Sequence, residues 1–266
     1  MEFVTNIERT DIEDLRNKFL DSKPFNHLVI DNFLPVDIAN KIAEEFPSFD
    51  EDIWYSYDNP LEIKKATNNW NNFSNVTYSY FMKVLSNEFT SLLESIIGSK
   101  LYPDVGLHGG GLHTHRNGGR LNPHLDYSIH PKLDLQRKLN LILYINPLWK
   151  PEYGGNLGLW ESNSDGAPGR LVSDVECVFN RAVLFDTTQN SWHGITKEIS
   201  SPDEVNRNSL AVYYLTNKPD NVDPRMKVKY APREDQKGDS EIEELIYRRQ
   251  SMENFKSSYV TNKNKK

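Results

Sequence analysis

Apolar residues recur along this chain at two periods, and the period changes near residue 101. Up to that point the spacing is helical. Ile12, Leu15, Phe19 and Leu20 share one face of a helix predicted over 12–20, which Thr10 or Asp11 caps and Pro24 stops. The run 26–33, rich in apolar and β-branched residues, reads as a short strand. Pro35 suits the first turn of a second helix. Its apolar face is Ile38, Ile42, Ala43 and Phe46, and Pro47 closes it. Residues 48–75 read as irregular and are rich in Asn, which competes for backbone hydrogen bonds and favours turns. The aromatic residues of 54–73 either line a cleft or pack over the core edge. One longer helix is predicted over 79–97, with Phe81, Val84, Leu85, Phe89, Leu92, Leu93 and Ile96 on its apolar face and Gly98 as its terminator.

Beyond residue 101 the period is two, so alternate side chains share a face. In 139–145, Leu141, Leu143 and Ile145 point one way and Asn140, Ile142 and Tyr144 the other. Strand-like runs continue at 155–161, 169–175, 182–186, 192–196 and 209–215, separated by Gly- and Pro-rich turns. No βαβ alternation appears. The pattern predicts a mainly β fold with flanking helices, a sandwich or barrel of jelly-roll type with the N-terminal helices packed on one sheet. Three stretches divide a single domain: 1–100 as helical and strand support, 101–217 as the jelly-roll core, and 218–266 as a polar C-terminal segment docking on the core. That last segment carries a charged helix over 240–252, and 262–266 are expected to fray.

Composition narrows the classes. A chain of 266 residues with 37% hydrophobic content can bury a sizeable core. A net charge of −7 and a pI near 5.6 imply no broad basic surface, so neither nucleic acid nor an anionic membrane is an expected partner. The same balance slightly favours a neutral or basic substrate. The longest apolar runs, such as 141–145, are too short to span a bilayer. The first residues have neither the basic nor the apolar region of a secretion signal. One cysteine, Cys177, cannot form an internal disulfide, and a reducing, cytoplasmic setting is expected. Cys177 lies in the strand-like run 175–179 and reads as a buried, inert thiol.

The candidate chemistry centres on His124-Leu125-Asp126. On a strand, residues i and i+2 aim at the same point, so this pair presents an imidazole and a carboxylate together. That is two thirds of a facial triad for non-haem iron; taken alone, the pair reads as a capped turn. A third ligand must arrive from a distant strand. His193 fits best among His27, His108, His113, His115, His130 and His193, because it follows a strand and a polar turn and opens another strand. His113 and His115 share a strand face but lie too near His124 in sequence, and read as cleft-lining or structural. His27 reads as a satisfied histidine at the core edge. Arg207 and Ser209 share a face at the start of the last strand, where a guanidinium fork beside a hydroxyl suits a carboxylate.

Together these features resemble the Fe(II)/2-oxoglutarate-dependent dioxygenases, and more narrowly their prolyl-4-hydroxylase-like branch. The resembling segments are Gly118-Gly-Arg-Leu-Asn-Pro-His124-Leu-Asp126, Arg137 to Asn146, Tyr153-Gly-Gly-Asn-Leu157, Ala182 to Asp186 with Ser191-Trp-His193-Gly194, and Arg207-x-Ser209, strongest over about 100–217. The resemblance implies a double-stranded β-helix core, with His124, Asp126 and His193 binding Fe(II). It implies Arg207, with Tyr144 and Ser209, holding 2-oxoglutarate. Arg137 and Tyr213 would then meet the substrate, with Arg116 and Tyr127 beside them. O2 is the second co-substrate, ascorbate a supporting reductant, and succinate and CO2 the co-products of hydroxylating an aliphatic C–H. In one respect the chain departs from the branch, which places its basic 2-oxoglutarate residue nine or ten positions after the distal histidine. Here those positions are Pro202 and Asp203, and Arg207 follows at fourteen. That spacing leaves the substrate open: a prolyl residue in a peptide or protein, or an amino acid, sugar or lipid-derived small molecule. A non-catalytic metal-binding jelly-roll module is a further alternative. A zinc hydrolase would give Arg207 no role.

Overall fold

The computed structural model describes residues 3–188 and 190–250. The N-terminal part carries helices α1 (Ile12–Asp21), α2 (Val36–Glu44), α3 (Asn75–Val84) and α4 (Asn87–Ile97). Strand β1 (His27–Ile30) and the hairpin β2 (Tyr55–Asn59) and β3 (Glu62–Thr67) lie among them. The core strands follow: β4 (Tyr102–Pro103), β5 (Gly111–His115), β6 (Arg120–Leu121), β7 (His124–Leu125), β8 (Gln136–Tyr144) and β9 (Leu157–Ser162). They continue as β10 (Pro168–Val175), β11 (Ala182–Asp186), β12 (Trp192–Ile195), β13 (Arg207–Thr216) and β14 (Lys229–Tyr230), before helix α5 (Ser240–Gln250).

Two antiparallel sheets result. The major sheet runs β1-β11-β8-β13-β5-β3-β2, with β4 beside β13 and β6 beside β3; the minor sheet runs β10-β9-β12-β7-β14. This is the expected jelly roll. The alternation in β8 explains how the layers assemble. Leu139, Leu141 and Leu143 join a core with Leu15, Phe19, Ile42, Phe81, Phe89 and Leu93 of the helices. On the other face, Tyr144 packs with Leu157, Leu159, Val175 and Phe185 between the two sheets. At about 25 cal/mol per Å² of apolar surface, such burial is the main force holding helices to sheet.

Two sequence expectations change. The helix predicted over 79–97 is two helices, and the first begins earlier, at Asn75. Ser86 accepts a hydrogen bond from the Phe89 amide at 3.1 Å and so caps α4, breaking the backbone while both apolar faces stay on one core. The stretch 48–75 is not wholly irregular, because it contains the β2–β3 hairpin, which extends the major sheet. Its alternation is invisible as hydrophobicity because both faces carry polar residues. The aromatic residues nearby divide between the two roles expected of them: Tyr55 and Tyr57 line a cavity, whereas Trp70 packs on Phe73, Tyr78 and Phe81. α4 ends at Gly98, whose φ of 71° is the left-handed conformation that glycine adopts without penalty. α5 is described to Gln250; the rest of the helix predicted over 240–252 and the segment 262–266 lie outside the described residues. Among the described residues no helix is long and apolar enough to cross a membrane.

Candidate metal and keto-acid site

β7 and β12 pair antiparallel with His124 directly opposite His193, which brings the two ring centroids within 4.2 Å. Each ring is oriented by its own chain. The Nδ1 atom of His124 lies 2.9 Å from the Asn122 carbonyl, and that of His193 lies 2.9 Å from the Ser191 carbonyl. These carbonyls accept from Nδ1–H, which leaves both Nε2 lone pairs pointing inward. Nε2 of His124 is 3.8 Å from Asp126 Oδ1, and Nε2 of His193 is 3.8 Å from Oδ2. The three donor atoms lie within 4.8 Å of one another, and all three residues are buried. Gly194 permits this approach, because a Cβ there would sit 2.8 Å from the Asn122 carbonyl oxygen.

The electrostatics suit a cation. Burial lowers the His124 imidazole to about 3 and pushes His193 down as well, so both rings are neutral ligands at pH 7. Burial pushes the Asp126 carboxyl up, but Arg137 and the two imidazoles more than offset this, bringing it to about 2. Asp126 Oδ2 is buried and has no hydrogen-bond partner among the described residues. Two neutral imidazoles, one ionised carboxylate and an orphaned buried oxygen at their centre fit the facial donor set of Fe(II). The carbonyl held by each Nδ1–H is the support expected of a ligating imidazole.

The triad opens on a cavity of about 540 Å³. Alternate residues of the major sheet line it: Arg207, Ser209, Ala211 and Tyr213 of β13, His113 and His115 of β5, and Glu62, Lys64 and Ala66 of β3. Arg207 is 5% exposed. Its Nε donates to the Gly155 carbonyl at 2.7 Å and approaches Cys177 Sγ at 3.1 Å, while Nη2 reaches the Tyr144 hydroxyl at 3.3 Å. Among the described residues no carboxylate forms an ion pair with it. A buried guanidinium with only neutral partners is a receptor for an anion. Ser209 lies opposite Tyr144 in the register, beside it.

Arg137 is wedged between two rings, 3.5 Å from the Tyr127 centroid and 3.3 Å from that of Tyr213. Its Nη1 lies 3.5 Å from Asp126, and its Nη2 donates to the His108 carbonyl at 2.6 Å. The structure therefore brings together His124, Asp126, His193, Arg207, Tyr144, Ser209, Arg137, Tyr213 and Tyr127. Arg116 is the exception. It is exposed, with its guanidinium 4.8 Å over the Phe49 ring, and it does not line the cavity. It follows the last residue of β5, where alternation turns it away from His115.

Cys177 is buried as expected, and its Sγ donates to the Gly155 carbonyl at 2.9 Å; its contact with Arg207 had no signal in sequence. Sequence reasoning also missed Lys64, Glu62 and Arg249, which line the cavity. The lining holds Lys64, Arg137, Arg207 and Arg249 against Glu62 and Asp126, so the local charge is opposite in sign to that of the chain.

Comparison with known proteins agrees with this geometry. Residues 110–221 match the family model described as the 2OG-Fe(II) oxygenase superfamily. His124, Asp126, His193 and Arg207 all lie within that matched span. The chain is 25% identical over 211 residues to the mouse prolyl 3-hydroxylase OGFOD1, an alignment covering 77% of this chain and 36% of that protein. The chain thus spans about a third or less of the length of the curated relatives it matches. The same fold recurs in a Trichoplax adhaerens prolyl hydroxylase solved with a hypoxia inducible factor peptide. That match has a TM-score of 0.53 and 18% identity, covering 77% of this chain and 90% of that one. A Pseudomonas putida prolyl-4-hydroxylase matches with a TM-score of 0.51 and 20% identity, covering 76% of this chain and 99% of that one.

Proposed function

We propose that this chain is an Fe(II)- and 2-oxoglutarate-dependent dioxygenase that hydroxylates an aliphatic C–H, with a prolyl residue of a peptide or protein as its substrate. The observation that carries the reading is the meeting, in one cavity, of the His124/Asp126/His193 donor set with the buried Arg207 guanidinium. The prolyl hydroxylase relative supports the substrate class.

In this reading His124, Asp126 and His193 hold Fe(II), and Arg207, Tyr144 and Ser209 hold the distal carboxylate of 2-oxoglutarate. When bound, the iron and keto acid supply an oxidant for an unactivated C–H, and succinate and CO2 leave. The chain's own part is positioning and exclusion of water. Arg207 offers Nη2 together with the Tyr144 hydroxyl, a two-point grip that sets the direction of the keto acid. Tyr127, Arg137 and Tyr213 stack into a wall beside Asp126, which fixes the carboxylate and limits where a substrate carbon can lie. Ascorbate as a supporting reductant belongs to the same proposal. So does a reducing, cytoplasmic setting, which the single buried thiol supports.

The direct test is succinate release with Fe(II), ascorbate and 2-oxoglutarate, with and without proline-containing peptides. Wild type is expected to consume 2-oxoglutarate, faster with a cognate peptide. Equal turnover by wild type and His124→Ala would refute the reading.

A further inference from the structure

Lys64 and His115 are among the cavity residues that have no part in the proposed chemistry. The strand register explains how they come together. Tyr144, Ser209, His113, Ala66 and Tyr55 form one row across β8, β13, β5, β3 and β2. One step along the same faces, Arg207 stands beside His115, and Lys64 stands beside Tyr57. Since side chains two apart share a face, Arg207, His115 and Lys64 form a second row of basic groups looking into the cavity.

Neither Lys64 nor His115 is satisfied as an ordinary structural residue would be. His115 is 2% exposed, and although the Arg207 backbone approaches the ring, neither ring nitrogen reaches full hydrogen-bond geometry among the described residues. Buried polar atoms are nearly always paired, so an imidazole held short of full pairing against a cavity marks a place for a ligand. Lys64 has a partner, but a shared one. Its Nζ lies 3.2 Å from Glu62 Oε2, while Arg249 Nη2 lies 2.5 Å from Glu62 Oε1. Among the described residues Glu62 is the one carboxylate in ion-pair reach of Lys64. A side chain 14% exposed, with half a carboxylate and the Tyr57 ring 5.0 Å away, keeps positive charge to offer. Burial is the main cause that holds the His113 and His115 imidazoles down, and the Lys64 charge adds to it.

We propose that Lys64 and His115 form an anion subsite, next to the Arg207 keto-acid site but separate from it, that receives a carboxylate of the substrate. The proposal rests on the dioxygenase reading and adds a substrate requirement to it: the oxidised carbon lies close to an anionic group. Lys64 donates N–H to one carboxylate oxygen and His115 donates a ring N–H to the other. The carboxylate comes either from an acidic side chain next to the target residue or from a free chain end.

The test is calorimetric titration of protein loaded with Mn(II) and N-oxalylglycine. The probes are seven-residue peptides with Glu or Gln after a central proline, both amidated, and the Gln peptide with a free C-terminus. N-acetylglutamate and N-acetylglutamine extend the panel beyond proline. In wild type at least one acid should bind tenfold or more tightly than its neutral partner. The amidated Glu peptide identifies a side-chain carboxylate, and the free-ended Gln peptide a terminal one. That preference should fall below twofold in Lys64→Met and in His115→Leu, with Lys64→Gln as the gentler variant should Lys64→Met fail to fold. N-oxalylglycine affinity should change less than threefold in these variants and more than tenfold in Arg207→Met. No acid preference in wild type, or a preference that survives Lys64→Met, would overturn the subsite. So would a loss of N-oxalylglycine affinity equal to that of Arg207→Met, which would assign both residues to the co-substrate. The same titrations on metal-free protein separate the two readings. Failure to bind N-oxalylglycine counts against the dioxygenase alone, whereas the acid preference belongs to Lys64 and persists without it.

Discussion

Each imidazole of the triad takes its direction from the carbonyl two residues earlier in its own chain, whereas the Asp126 carboxylate is steadied from farther along the chain by Arg137. Removing one imidazole should therefore cost metal binding far more than folding. His193→Ala is expected to lower Mn(II) affinity at least hundredfold in calorimetry, with an unchanged far-ultraviolet spectrum. Arg207→Lys keeps the charge but loses the fork. A tenfold or greater rise in the KM for 2-oxoglutarate is expected, about 1.4 kcal/mol, and an unchanged KM would remove Arg207 from that role. That His124 and Asp126, and Arg207 and Ser209, line one cavity was legible in sequence because i, i+2 spacing on a strand fixes a shared face. Lys64 was not, since a polar residue on a strand reveals its facing only once the neighbouring strands are in register, whereas the cleft-lining reading of His115 matches its place in the cavity. Arg116 lies off the cavity because the residue after His115 takes the opposite face.

The helices and strands came through the sequence wherever an apolar face marked them. The division of 79–97 did not, because one core accepts the apolar faces of α3 and α4 alike and the period runs on through the break. Ser86 makes the break, and Ser86→Ala should destabilise the protein by about 1 kcal/mol in urea denaturation. The β2–β3 hairpin was missed for the opposite reason: its inward face holds Glu62 and Lys64 where a core strand would hold apolar residues. That face has a pH signature. Burial pushes the Glu62 carboxyl up, and Lys64 and Arg249 outweigh this, lowering it from 4.5 to about 2. A depressed folded-state value means that the contribution to stability is complete above pH 4.5 and is lost as pH falls toward 2. The stability gap between wild type and Glu62→Gln should accordingly shrink across that window, as measured by chemical denaturation at each pH.

At the scale of the molecule, the helical layer, the jelly roll and the C-terminal helix share contacts that no one of them can satisfy alone. Leu15, Phe89, Leu143 and Val212 lie in one apolar cluster, and Arg249 of α5 reaches Glu62 of β3. We propose on these contacts that the segments 1–100, 101–217 and 218–266 unfold together, giving a single calorimetric transition. Two separate transitions would refute it. The layer order was readable from periodicity. The partner of each strand was not, because long-range pairing leaves no local mark.

The narrow meeting of β7 and β12 has one more consequence. These strands face each other at a single register pair, His193 with His124. Any ion gripped by both rings would buckle together two lengths of chain that the backbone barely joins there. Ligation would then appear as resistance to heat as well as competence in chemistry, with melting temperature rising as divalent metal is added. At a hundredfold excess over Kd the linkage amounts to about 2.7 kcal/mol. A chelator should erase that gain in wild type and leave His124→Ala unmoved, so a melting curve alone can report whether the buckle is closed.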